Sequence, residues 1–160
     1  MMNGPLAVEL DCQRLMQTPA QKRVDEMQQA MAQMPQVNCP LDHEFTGKFY
    51  VRTIHVPAGT LVVSKIFKQD FPFFISKGKV SVWVEGTGVV HREAPFWGFT
   101  KAGSRRVIMH HTDVEWTTLH YVGELRDVDE IEEQVIFDPT KNHCIDIPDA
   151  VIEELKGATT

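Results

Sequence analysis

The 160 residues are enough for one domain with a sizeable core and a terminal appendage, and the 42% hydrophobic, 24% charged composition is that of a globular chain. A formal net charge of −6 argues against a general nucleic-acid binder, which needs a basic face to neutralise phosphates, yet leaves room for a small basic pocket. No apolar run approaches the roughly 20 residues that cross a bilayer, so neither a nucleic-acid polymer nor a membrane is expected as a partner.

The chain opens with Met1 to Asp11, too poor in apolar residues for a signal peptide. Cys12, Cys39 and Cys144 lie far apart and form no CxxC pair, which suits reduced thiols and a cytoplasmic location. Thr18-Pro19-Ala20-Gln21 supplies an N-cap hydroxyl, a proline at the first helical position and a Gln able to close a capping box. Val24, Met27, Met31 and Met34 then recur as one apolar stripe, and Pro35 ends the predicted helix.

From Phe49 the period changes to that of strands. Tyr50–Val56, Leu61–Phe67, Phe73–Ser76, Lys79–Glu85, Val89–Glu93, Phe96–Thr100, Arg106–His111 and Val114–Val122 are β-branched or aromatic runs punctuated by turn residues. Such spacing predicts an all-β sandwich or barrel, with the jelly roll as one solution. After Gly123 the chain turns acidic, and Asp127 to Glu130 can start a short helix broken by Pro139. Pro148 opens a last predicted helix over Ala150 to Lys156. The expected organisation is a helical extension over 1–48, a β-barrel over 49–123 and a helical segment over 124–160.

Two glycine-marked stretches carry a resemblance. The first places Gly59, Lys65, Phe67, Phe71 and Gly78, and the second Pro95, Lys101, Gly103, Arg106 and His110. Their spacing resembles the two motifs of the cupin superfamily, in which a glycine is followed by His-x-His, a glutamate and a second glycine. A further histidine comes from the second motif. The resemblance implies a mainly β, double-stranded β-helix (jelly-roll barrel), similar to small bacterial or phage-encoded cupin-like proteins, with N-terminal and C-terminal helices. In this register Lys65 and Phe67 stand at the two histidine positions, Phe71 at the glutamate and Arg106 at the last histidine. A phenyl ring cannot ligate a cation, and a guanidinium only donates hydrogen bonds. No metal or other cofactor is therefore expected.

Strand alternation puts Arg106, Ile108 and His110 on one face and His111 on the other, and puts Lys65 with Phe67. The predicted site is an aromatic pocket with a cationic base, built from Lys65, Phe67, Phe71, Phe73, Trp83, Arg106, His110 and His120. Arginine suits carboxylate or phosphate, so a small anionic or aromatic ligand fits this pocket. The opposing expectation is a filled barrel, with Phe67 and Phe71 as core and the two cations neutralised by Asp70 or Glu115. The resemblance adds a homodimer, and it leaves open two functional alternatives to a metal-free, non-enzymatic binding or assembly module. One is a metal-independent epimerase-like enzyme, with His110 or His120 as base and Lys65 or Tyr121 as acid. The other is a nucleotide-sequestering protein clamping phosphate with Lys65 and Arg106.

Overall fold

The structure is a computed structural model that describes residues 18–137. Cys12, Cys144 and the helix expected over 150–156 lie outside these residues. Helix α1 spans Pro19–Ala32, and Thr18 Oγ1 accepts from the Gln21 N–H as the proline-led start predicts. The Gln21 side chain does not reach back to complete a capping box. It donates instead to Glu85 Oε2 at 3.0 Å, and Thr18 Oγ1 donates to the same oxygen at 3.1 Å. The helix stops short of Met34, which is exposed, while Val24 is buried and Met27 and Met31 are half-buried.

The strands are β1 (Leu41–Thr46), β2 (Phe49–Val56), β3 (Leu61–Val63), β4 (Ile66–Phe67), β5 (Phe71–Lys77), β6 (Lys79–Val84), β7 (Gly88–Glu93), β8 (Phe96–Thr100), β9 (Arg106–His110) and β10 (Val114–Tyr121). Helix α2 (Val128–Val135), capped by Asp127, and β11 (Ile136–Phe137) follow. Strand β1 falls inside the stretch expected to be a helical extension. It pairs along its whole length with β2, so its residues join the sheet. The single strand expected over Leu61–Phe67 is broken at Ser64, whose N–H donates to Arg106 O at 2.8 Å while its hydroxyl accepts from the Arg106 N–H at 2.9 Å. With Ser64 spent on Arg106, the chain turns away and β4 pairs with β11 instead.

The remaining pairings are nested and antiparallel: β2 with β10, β3 with β9, β5 with β8 and β6 with β7. Nested pairing describes one long hairpin. Contacts of β10 with β5 and of β6 with β9 roll it into two sheets, ordered β1-β2-β10-β5-β8 and β3-β9-β6-β7. This is a jelly roll. Gly78, between β5 and β6, is needed for it: φ is +100°, and a Cβ there would lie 2.4 Å from Asp113 O.

Side chains from both sheets meet in one core of Phe73, Ile75, Val80, Val82, Ile108, Val114 and Trp116. A second cluster at one end joins Tyr50 and Val122 to Ile131 and Val135 of α2, so the C-terminal helix closes that end of the barrel. Helix α1 is tied to the outside of the four-stranded sheet's end through Glu85 and Arg105.

Candidate functional site

Period-two alternation decides what enters the barrel. On β9 it sends Arg106, Ile108 and His110 inward, and all three are buried. On β10 it sends Val114, Trp116, Thr118 and His120 inward. Register then sets Arg52 of β2 and Phe73 of β5 on either side of Thr118, because cross-strand partners share a face.

Arg106 is only 9% exposed. Its guanidinium lies 5.3 Å from the ring centres of both Phe73 and Trp116, rings that themselves stack at 4.7 Å. Arg92 extends this group, with its guanidinium 4.8 Å from the centre of Phe96, and Phe96 lies 6.0 Å from Phe73. Gly98 lets the Phe73 ring lie close to β8, since a Cβ there would sit 3.1 Å from it and push it aside by a few tenths of an ångström. Arg106 Nε is buried without a hydrogen-bond partner, and no carboxylate among the described residues pairs with the guanidinium. Burial lowers its pKa to about 10, which leaves it charged at neutral pH. Half-buried Arg52 likewise forms no hydrogen bond or ion pair among the described residues.

Below this group, Phe67, Phe71 and His120 pack together, with ring centres 4.6 Å, 4.5 Å and 4.9 Å apart. His120 Nε2 bonds Thr118 Oγ1 at 3.0 Å while Nδ1 has no partner. Burial, and secondarily the charge of Arg52, hold its pKa near 4, so the ring is neutral at pH 7. Phe67 and Phe71 therefore plug this end, as the filled-barrel expectation has it. His110, also buried, bonds the Thr60 carbonyl through Nδ1 at 2.9 Å, and burial lowers its pKa.

Two of the eight expected site residues lie elsewhere. Lys65 follows the break at Ser64, points to the surface and pairs with Glu132 at 3.0 Å. Trp83 alternates with buried Val82 and pairs with Val107 and Val89 on the outward face. Neither Asp70 nor Glu115 neutralises a barrel cation: Asp70 binds the Ala102 N–H and Lys101, and Glu115 faces His55. Tyr121 is exposed on the outer face, so the acid–base pairings of His110 or His120 with Lys65 or Tyr121 are not brought together. A phosphate clamp of Lys65 with Arg106 is not brought together either. The residues missed by sequence reasoning are Arg52, Trp116 and Thr118; the alternation of Arg52 with Tyr50 and Ile54 was the available signal.

A divalent metal of the kind the resemblance implies does not fit this interior. The positions the resemblance assigns to its ligands present Phe67, Phe71 and Arg106, and Lys65 is outside. Among the described residues no three His, Cys, Asp or Glu side chains converge.

The nested antiparallel sheets define the class, a jelly-roll barrel. Similar solved structures include a cupin superfamily protein from Desulfitobacterium hafniense, 8% identical with a TM-score of 0.46 over 58% of this chain and 85% of that one. An RmlC-like cupin from Methanocaldococcus jannaschii is 10% identical, with a TM-score of 0.45 over 53% and 81%. The Schizosaccharomyces pombe Cnp3 cupin domain is 20% identical, with a TM-score of 0.45 over 62% and 75%. No protein-family model and no curated protein matches the sequence.

Proposed function

We propose that this chain is a metal-independent, non-enzymatic binding protein whose barrel takes a small anion, a carboxylate or phosphate, at Arg106. The observation that carries the reading is the buried Arg106 guanidinium with no acceptor among the described residues. Burying an unpaired ion costs several kcal/mol. Stacking on Phe73 and Trp116 returns about 0.5–2 kcal/mol per ring, which is not enough. An external anion supplies the remainder, and Arg52 lies across Thr118 to share it. The rings of Phe73 and Trp116 favour a ligand with a flat or apolar part beside its charge.

Calorimetric titration with inorganic phosphate and with benzoate tests this. Binding is expected in the wild type and a loss of roughly 10–100-fold in Arg106→Met, the range of one charged hydrogen bond. Absence of binding by both probes at roughly 10 mM, a Kd range below the useful limit of such contacts, would falsify the reading. Unchanged affinity in Arg106→Met would remove Arg106 from the site.

A further inference from the structure

The outer face of the four-stranded sheet carries a polar cluster that the barrel interior does not use. Parity turns Val80 and His110 inward, where both are buried, and leaves His91 of β7, Ser81 of β6 and Met109 of β9 outside. These three are cross-strand partners in one row, with Ser81 between His91 and Met109. His111, one residue past β9, joins them, its N–H bonded to Lys79 O at 2.9 Å.

Two imidazoles converge on the Ser81 hydroxyl. His91 Nδ1 lies 2.7 Å from Oγ, and His111 Nε2 lies 2.6 Å from it. A hydroxyl has a single proton to give, so at least one of these nitrogens brings a proton of its own. Both nitrogens point at one spot on the surface, and a cation there would replace the proton and take both lone pairs. The two histidines are exposed, which lets their rings close to the roughly 2 Å of a metal–imidazole bond. Lys79 and Glu93 flank the row but pair with each other at 3.6 Å, so they leave little net charge beside it. The chain's net charge of −6 favours a cation.

We propose that this row binds a copper(I) ion through His91 Nδ1, His111 Nε2 and the Met109 thioether. The donor set selects the ion. Zinc sites draw their ligands from His, Cys, Asp and Glu, and among the described residues no three of these converge. A thioether is a soft ligand that favours Cu(I), and imidazole suits copper as well. Met109 starts directly opposite Ser81, and its unbranched, flexible side chain reaches the point the two rings face. Ser81 positions both rings beforehand, which cuts the ordering cost of binding. The site lies outside the barrel, and the proposal is independent of the reading at Arg106.

Anaerobic titration of the full chain with Cu(I), in competition with the chelator bicinchoninate, tests it. The thiols of Cys12, Cys39 and Cys144 also take Cu(I), so the site is read by difference. His91→Gln with His111→Gln should lose one copper equivalent relative to the wild type, with unchanged circular dichroism. Met109→Leu should weaken that equivalent by no less than the roughly 10-fold that even an outer-shell partner costs. An equal copper count in the wild type and the double variant overturns the proposal, as does a Met109→Leu variant that holds Cu(I) as tightly as the wild type. Nuclear magnetic resonance of the wild type gives a reading that does not depend on the variants folding. The imidazole protons of His91 and His111 and the Met109 methyl should shift together as Cu(I) is added, and shifts confined to other residues also overturn the proposal.

Discussion

Arg105 and Arg106 are neighbours in the chain, both buried, and they face opposite ways. Arg105 points out of the barrel toward α1, where Nη1 meets Asp25 Oδ1 at 2.7 Å and Nη2 bonds Gln28. Its side chain is 4% exposed, and it holds the helix to the sheet. Arg106 points into the barrel, has aromatic rings above and beside it, and has no acceptor there. The two buried cations differ in pairing: Arg105 has a carboxylate partner, and Arg106, the residue proposed to meet a ligand, has none among the described residues. A buried ion that serves only structure is expected to bring its counter-ion with it.

The comparison breaks most readily at Asp25. Asp25→Ala removes a carboxylate partner from buried Arg105; because Asp25 is itself 40% exposed, the loss is expected to be about 2–3 kcal/mol, that of one charged hydrogen bond, read from urea denaturation. If the variant is as stable as the wild type, loss of a carboxylate partner from a buried arginine is tolerated in this protein, and the absence of one at Arg106 loses its meaning.

The next effect tests whether the interior rejects charge where chemistry allows it. His120 has a folded pKa of about 4, depressed from 6.5. The unfolded chain thus binds the proton more readily between these values. Stability from this group is complete above pH 6.5 and declines as pH falls toward 4, by up to about 3 kcal/mol. Comparing His120→Gln with wild type at pH 7 and pH 4.5 isolates the contribution, and the variant should show the shallower acid loss. An equal loss in both would mean that His120 is not charged on unfolding at the expense of the fold.

The smallest effect has the opposite sign. Arg106→Met, which removes the unpaired charge and keeps the apolar volume, should leave ligand-free stability unchanged or raise it by about 1 kcal/mol. Destabilisation by several kcal/mol in thermal unfolding would show that Arg106 is paired after all and belongs with Arg105.

The strands were legible in the sequence because their alternation is local. Arg106, Ile108 and His110 face inward as their parity requires, and the glycine at position 78 marks a turn that admits no side chain. Strand β1 was not legible, since Leu41–Thr46 lacks a buried face and owes its conformation to pairing with β2. Lys65 was misplaced for a related reason. Parity with Phe67 presumes an unbroken strand, and the strand ends where Ser64 turns both its hydroxyl and its N–H to Arg106.

By itself, then, the sequence determined a β-barrel, and in the register of the resemblance it offers Lys65, Phe67, Phe71 and Arg106 where metal ligands are expected. It could not say which cation stays bare. Arg105 and Arg106 are adjacent, and that single step puts them on opposite faces. Whether a partner waits on each face depends on residues brought from far along the chain, Asp25 of α1 being 80 positions from Arg105. Charge pairing across that separation is a property of the folded chain, because only packing sets the distances over which it acts.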